Sequence, residues 1–94
     1  MSTVRIPAVL RGATGNQKQI EAEGETVGAV LETVVAEYPG LRDQLLTPEG
    51  RLNRFVNVYL NSEDIRYLQE LATPVAARDT IILQPAMAGG SEAA

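Results

Sequence analysis

The residues best placed to do chemistry are two consecutive glycines, Gly89 and Gly90, which follow a short apolar stretch. Glycine loses the most backbone entropy on folding, so a pair of glycines resists regular structure. Because glycine has no Cβ, however, the backbone can enter a slot that any other residue would block. Residues 86–90 span about 17 Å when extended. This is far enough to place the carboxyl group of Gly90 inside another protein's active site.

The alternative interpretation of this segment is a frayed terminus in which Met87 fills a gap in the core. Segments that stay disordered are usually polar. Residues 86–90 are uncharged, and charge returns only at Glu92. A slender, uncharged segment therefore favours insertion into a partner's pocket.

The composition excludes several kinds of site and partner. The 94 residues predict one domain, and the chain has no cysteine or histidine. Cysteine nucleophiles, Ser-His-Asp triads and zinc sites with Cys or His ligands are therefore excluded. The net charge is −4 and Lys18 is the only lysine, so we expect no nucleic-acid partner. No apolar run reaches the ~20 residues of a membrane span and the N-terminus is not a signal peptide, so we expect a cytoplasmic protein with no membrane partner. We also expect a monomer.

The other polar groups are better explained by structure than by chemistry. Residues 63–64 form an acidic pair in a predicted turn, where adjacent side chains point apart. Asn57 and Asn61 lie on or at the end of a predicted strand, where asparagine commonly satisfies turn backbone. Residues 12–15 lack the lysine and hydroxyl spacing of a phosphate-binding loop.

Hydrophobic periodicity predicts the elements that must position the glycine pair. Alternation and β-forming residues predict strands over Thr3–Leu10, Gln17–Ala22, Phe55–Leu60, Ile65–Tyr67 and Thr80–Gln84. A helix of about 12 residues should begin after an N-cap at Thr26 and end at Pro39. Its apolar stripe comprises Val27, Val30, Leu31, Val34, Val35 and Tyr38. A short helical turn is expected near residues 43–46.

These elements predict an α+β fold, a mixed sheet of four to five strands with one main helix across one face. The last strand should lie parallel to the first, and one core should form between helix and sheet. Its expected members are Val4, Ile6, Ile20, Val27, Val30, Leu31, Val34, Val58, Leu60, Ile81 and Leu83. Alternation then directs Ile82 to the open face, where it could form a docking patch with Phe55 and Met87.

Three stretches together resemble the ThiS/MoaD family of ubiquitin-like sulfur carriers. They are Glu25-Thr26-Val27-Gly28-Ala29-Val30-Leu31, Phe55-Val56-Asn57-Val58-Tyr59-Leu60-Asn61 and the pair Gly89-Gly90. The resemblance spans Val4 to Gly90. Residues 6–11, 54–57 and 83–90 look most similar to the branch that serves O-phosphoserine-dependent cysteine synthesis. The family resemblance implies a ubiquitin-like β-grasp fold over residues 1–85.

The resemblance also implies a mechanism in which this chain is a carrier, not an enzyme. An E1-like enzyme of the MoeB/ThiF type would adenylate the carboxylate of Gly90 with ATP, and a sulfur donor would convert it to a thiocarboxylate. A sulfur-accepting synthase would take the sulfide. Gly89 would allow close approach, and Met87 and Ala88 would contact the partner with Ile82 and Phe55. The chain itself would bind no cofactor or metal.

Residues 91–94 depart from the family pattern, because they lock the carboxyl group of Gly90 in a peptide bond to Ser91. We expect residues 86–94 to form a flexible tail whose extension a JAMM-type metallopeptidase removes between Gly90 and Ser91. Two other functions stay open at this point. One is a protein modifier conjugated through Gly90, and the other is a non-catalytic β-grasp adaptor.

Overall fold

The computed structural model describes residues 1–85, and residues 86–94 lie outside that description. Within it, five strands form one mixed sheet in the order β2-β1-β5-β3-β4. The strands are β1 (Ser2–Arg5), β2 (Gln19–Ala22), β3 (Val56–Leu60), β4 (Glu63–Asp64) and β5 (Thr80–Pro85). The α-helices are α1 (Val27–Glu37) and α2 (Arg42–Leu45), and 3-10 turns occupy Ala8–Thr14, Pro39–Leu41, Ile65–Tyr67 and Glu70–Ala72. The predicted α+β layer pair, one sheet and one main helix, is confirmed.

Strand β5 lies in the middle of the sheet. It runs parallel to β1, with Val4 opposite Ile81, and antiparallel to β3, with Val58 opposite Leu83. The expected parallel pairing of the first and last strands is therefore confirmed. The hairpin between β1 and β2 is confirmed too, with Val4 opposite Ile20.

The prediction that the first strand extends to Leu10 is wrong. The strand ends at Arg5, and the chain enters a 3-10 helix at Ala8. Pro7 has no N–H to donate to a ladder, and its carbonyl instead accepts a hydrogen bond from Leu10 N–H at 2.9 Å. The 3-10 helix buries the side chain of Leu10, and this burial of apolar surface stabilises the helical conformation.

Helix α1 begins and packs as its sequence predicts. The Thr26 hydroxyl oxygen accepts a hydrogen bond from the N–H of Ala29 at 3.1 Å, a side-chain N-cap. The apolar stripe faces the sheet, and its buried members are Val27, Val30, Leu31, Val34 and Val35. Tyr38 is partly buried against the core and forms the C-cap before Pro39.

The predicted strand over Ile65–Tyr67 is also wrong, because this segment is a 3-10 turn. The Asp64 carboxylate accepts a hydrogen bond from the N–H of Arg66 at 2.8 Å and so caps the turn. A local side-chain acceptor of this kind gives the backbone an alternative to a ladder. Ile65 is fully buried by the turn, so the segment contributes to the core without being a strand.

The core lies between the sheet and α1, and every predicted member is buried except Leu60, which is partly buried against it. The connections add buried residues that periodicity did not predict. These are Leu10, Leu41, Leu45, Leu46 and Ile65. Among residues 1–85, no helix has the length and apolar character needed to cross a bilayer.

Leu31→Ala should lower the free energy of unfolding by about 2–5 kcal/mol, because Leu31 is fully buried and the variant leaves a cavity. The exposed Glu37 of the same helix provides the control, and Glu37→Ala should change stability by less than about 0.5 kcal/mol. Chemical denaturation measures both. Equal effects would mean that α1 does not cover the core through this face.

Gly24→Ala should destabilise the fold by about 1–3 kcal/mol. A Cβ at Gly24 would lie 2.5 Å from the backbone nitrogen of Val30, inside the start of α1. Gly12 is the matched control, since a Cβ there meets nothing within 4 Å. Gly12→Ala should leave stability unchanged or raise it by up to about 1 kcal/mol. Two variants with the same sign and size of effect would contradict this packing.

Candidate functional site

The candidate site lies around the end of β5, where the chain leaves the sheet toward Gly89 and Gly90. We call the last two residues of this strand, Gln84 and Pro85, the tail root. Residues 81–85 pair with β3, and residues 80–82 pair with β1. The ladder thus holds the chain up to Pro85, which lies opposite Val56. The predicted tail residues Met87, Ala88, Gly89, Gly90 and Ser91 lie outside the described residues. The predicted boundary between domain and tail stays a prediction.

Ile82 lies on the face of the sheet opposite α1, as alternation predicts. Its neighbours Ile81 and Leu83 are fully buried, whereas Ile82 is half-buried. It is opposite Arg5 on β1 and opposite Tyr59 on β3. A transverse row of three side chains therefore crosses the open face, with an apolar residue at its centre.

A pocket of about 290 Å³ lies beside Pro85 of the tail root. Its lining includes Phe55, which is 54% exposed, together with Val9, Val56 and Pro85. The Phe55 N–H donates a hydrogen bond to the Asn53 side-chain oxygen at 2.9 Å. This bond helps hold the backbone where the ring stands at the rim. Phe55 precedes β3 and is not part of the strand.

The Phe55 ring also carries a cation on one face. The Arg54 guanidinium carbon lies 5.3 Å from the ring centroid, within range of a cation–π contact. Such a contact leaves the other edge of the ring free to meet the apolar lining of the pocket. The pocket lining is mainly apolar and includes one charged residue, Asp43, while Arg54 lies over the ring of Phe55.

A second pocket, of about 420 Å³, lies on the side of Ile82. It is lined by Arg5, Ile6, Pro7, Arg11, Lys18, Gln19, Ile82, Leu83 and Gln84. Ile82 and Phe55 thus line different pockets. The two pockets are lined by consecutive residues of the tail root, one by Gln84 and the other by Pro85.

The sequence did not identify Val9, Arg11 or Lys18 as neighbours of the tail root. The first strand was predicted to continue through residue 10. In that extended path residues 9 and 11 would lie far from the tail root. The signal that could have found them is Pro7, since a missing N–H stops a ladder. A proline is compatible with an edge position, as predicted, but here it marks the end of the strand.

The remaining polar candidates have structural roles. The Asn61 side-chain oxygen accepts a hydrogen bond from Thr80 N–H at 3.1 Å, and its amide donates to the Asp79 carboxylate at 3.3 Å. The Asn57 side-chain oxygen accepts a hydrogen bond from the Arg66 guanidinium. Over residues 1–85, no three or more His, Cys, Asp or Glu side chains are grouped so that they could hold a metal ion.

Comparison with known proteins matches nearly the whole chain. The model of the ThiS family matches residues 4–90. The sulfur carrier protein CysO of Mycobacterium tuberculosis is 47% identical over 90 residues, which cover 94% of this chain and 97% of that protein. The small archaeal modifier protein 3 of Haloferax volcanii is 37% identical over 65 residues, 69% of this chain and 70% of that protein.

A solved structure gives the same result for the fold. A chain in the crystal structure of the Amycolatopsis orientalis BexX/CysO complex superimposes with a TM-score of 0.87 and 41% identity. The match covers 96% of this chain and 100% of that one. The ubiquitin-like β-grasp fold implied by the sequence resemblance is confirmed.

Ile82→Glu should leave the domain folded and change the free energy of unfolding by about 1 kcal/mol or less, because residue 82 lies on the open face. Its neighbour in the strand provides the contrast. Ile81→Glu should cost more than about 4 kcal/mol or abolish folding, because it buries a carboxylate in the core. Circular dichroism with thermal melting separates the two. If Ile82→Glu were the more damaging change, the assignment of faces would be wrong.

Proposed function

The chain belongs to the ThiS family, and from this premise we propose that it is a sulfur carrier protein whose reacting group is the carboxyl group of Gly90. One observation carries the proposal. The family match extends to residue 90 and so includes both Gly89 and Gly90, not only the folded domain. The 47% identity to a sulfur carrier protein over 94% of the chain supports the same conclusion.

The proposed reaction has three steps, two that load sulfur onto the carboxyl group of Gly90 and one that delivers it. A carboxylate oxygen of Gly90 attacks the α-phosphorus of ATP bound to an E1-like enzyme, and pyrophosphate leaves. Hydrosulfide supplied by a donor then attacks the acyl carbon and displaces AMP, which leaves a thiocarboxylate with no change in the oxidation state of sulfur. The thiocarboxylate finally donates its sulfide to an acceptor held by a synthase. Cysteine synthesis is the pathway that the CysO relationship favours.

This chemistry asks no side chain of this chain to act as acid, base or nucleophile. The partner enzyme supplies ATP, its metal ion and the groups that stabilise the developing oxyanion. The chain supplies a carbonyl on a backbone thin enough to enter that active site. In this proposal it is a carrier and co-substrate, and not an enzyme.

The folded domain fixes the point from which the segment that carries Gly90 begins. Strand β5 holds the tail root by pairing with β3 up to Pro85. From there, residues 86–90 can extend by about 17 Å. A partner that docks against the tail root therefore receives Gly90 within a limited radius, which lowers the entropic cost of bringing the carbonyl to the reacting atoms.

Residues that follow Gly90 must be removed before it can react. Ser91–Ala94 follow it in this sequence, so its carboxyl group is part of a peptide bond. We propose cleavage between Gly90 and Ser91 by a JAMM-type metallopeptidase. Hydrolysis at that bond would release the carboxylate that the adenylating enzyme needs.

A second function, protein modification, is favoured by one observation. The small archaeal modifier protein 3 shares 37% identity over 69% of this chain. In this alternative the activated carbonyl of Gly90 is attacked by a lysine amine of a target protein, and an isopeptide bond forms. The adaptor alternative needs no activation at all, so deletion of the tail distinguishes it from both.

Protein truncated after Gly90 should be adenylated by its cognate E1-like enzyme, whereas the chain through Ala94 should not. The terminal carboxylate of the longer chain is displaced by up to about 13 Å from Gly90, and an active site with a fixed near-attack geometry does not tolerate this. With a sulfur donor, intact mass spectrometry should show replacement of one oxygen by sulfur on the shorter form. Gly90→Ala in the shorter form should slow activation, because a methyl group enters the narrow slot.

Two results would contradict this prediction in different ways. Equal thiocarboxylation of both chain lengths would overturn the need for cleavage. Failure of the enzyme to activate either form would favour the adaptor. Recovery of target lysines linked to Gly90, in the absence of any thiocarboxylate, would favour the modifier.

A further inference from the structure

We propose that Arg5, Arg11 and Lys18, grouped beside Ile82, form a cationic docking surface for an acidic segment of the adenylating enzyme. We call these residues the cationic group. The inference rests on the proposed function, because it concerns the partner that acts on Gly90. It goes further by stating where that partner docks and what charge it carries there.

The backbone of Ile6 gathers the cationic group. The Ile6 N–H donates a hydrogen bond to the carbonyl oxygen of Lys18 at 2.8 Å. The Ile6 carbonyl oxygen accepts one from the Arg11 side-chain Nε at 3.1 Å. Arg5 precedes Ile6 in the chain and lies opposite Gln19, the residue after Lys18. The backbones of Arg5 and Lys18 and the guanidinium of Arg11 therefore lie around one residue, Ile6.

The bend after Pro7 brings Arg11 into this group. An extended strand would carry residue 11 about 20 Å beyond Arg5, at roughly 3.3 Å per residue. The 3-10 turn at Ala8–Thr14 instead returns the chain, so that Arg11 reaches Ile6. The same bend leaves Leu83 and Gln84 without a β1 partner, since the β1–β5 ladder stops at Ile82. The pocket beside Ile82 lies next to these two positions of β5.

The charge of the pocket is opposite to that of the chain. It is lined by three of the chain's eight cationic side chains and by no acidic residue. The chain as a whole carries a net charge of −4. Over residues 1–85 the ion pairs involve Arg42 and Arg66, and neither uses the cationic group. A local positive potential on an acidic protein steers and orients an acidic partner more than it adds raw affinity.

The surroundings favour a protein segment over a small anion or a nucleic acid. Ile82 lines the same pocket, and Tyr59 lies opposite it on β3. An apolar centre with a charged rim is the composition of a protein interface. A nucleic acid carries phosphates along its whole length, and the chain's net charge of −4 would repel those outside the pocket, whereas a protein can present an acidic segment locally. The pocket also includes Gln84 of the tail root, so a protein seated here is beside the segment that carries Gly90.

The test measures binding of the chain truncated after Gly90 to its cognate adenylating enzyme at low and high ionic strength. Lys18→Glu should weaken binding about 10-fold at low ionic strength, and less at high ionic strength. Arg5→Glu combined with Lys18→Glu should weaken it further. Arg78→Glu is the matched control, since it makes the same charge change at an exposed residue before β5, at the end remote from the tail root. It should change affinity by less than about 2-fold.

Turnover at saturating enzyme separates this inference from the proposed function. If Lys18→Glu binds weakly but is adenylated at the wild-type rate once saturated, the surface serves docking, as proposed. If Arg78→Glu weakens binding as much as Lys18→Glu, net charge alone matters and the inference is overturned. If neither changes affinity while wild type is adenylated, the docking surface is wrong and the carrier function stands.

A second measurement keeps the surface testable if the enzyme does not activate the chain at all. Amide chemical shifts of the labelled protein are followed during titration with polyglutamate. Shifts concentrated at Arg5, Lys18 and Gln84 support an acidic-segment surface, and shifts that are equally large at Arg78 overturn it. Inorganic phosphate is the small-anion probe. If phosphate produces the same shifts and displaces polyglutamate at equal ionic strength, the pocket is a small-anion site and the inference fails.

Discussion

The pairing of β5 at the centre of the sheet is the constraint on which the rest of the structure depends. This strand buries Ile81 and Leu83 under α1 and is held by β1 at its start and by β3 along most of its length. Its last residues are therefore fixed relative to the core. Whatever follows Pro85 leaves the domain from a defined point with a defined orientation. The proposed reacting group, the carboxyl group of Gly90, lies five residues after Pro85. The sheet therefore fixes the starting point of this segment, and the length of residues 86–90 limits how far Gly90 can extend from it.

The ladder is not symmetric, and the asymmetry shapes both surfaces next to the tail root. Strand β1 ends at Arg5, whereas β3 continues to pair as far as Pro85. A proline without an N–H followed by a buried Leu10 explains the early end of β1. The chain that turns away contributes Val9 to the pocket beside Phe55 and Arg11 to the pocket beside Ile82. One local departure from strand geometry thus supplies residues to both sides of the root.

The sequence predicted most of the fold because the helix and central strands are strongly periodic. The stripe on α1 and the alternation in β3 and β5 identified the core and the direction of Ile82. Local competition defeated the same reasoning at Ala8–Thr14 and Ile65–Tyr67, where a proline and a capping Asp64 outweigh strand propensity. The cationic group escaped prediction for the same reason, since it depends on a turn that folds residue 11 back. Gly90 was identified from the residue types around it and from the family resemblance. Neither argument depends on the fold.

The most direct measurement of the central claim is the intact and fragment mass of this protein isolated from the cells that make it. We expect a population whose chain ends at Gly90, with one oxygen of its terminal carboxylate replaced by sulfur. Collision fragments should place the sulfur on the last residue. Protein found only with residues after Gly90 still attached, or with Gly90 joined to lysines of other proteins and never carrying sulfur, would contradict it.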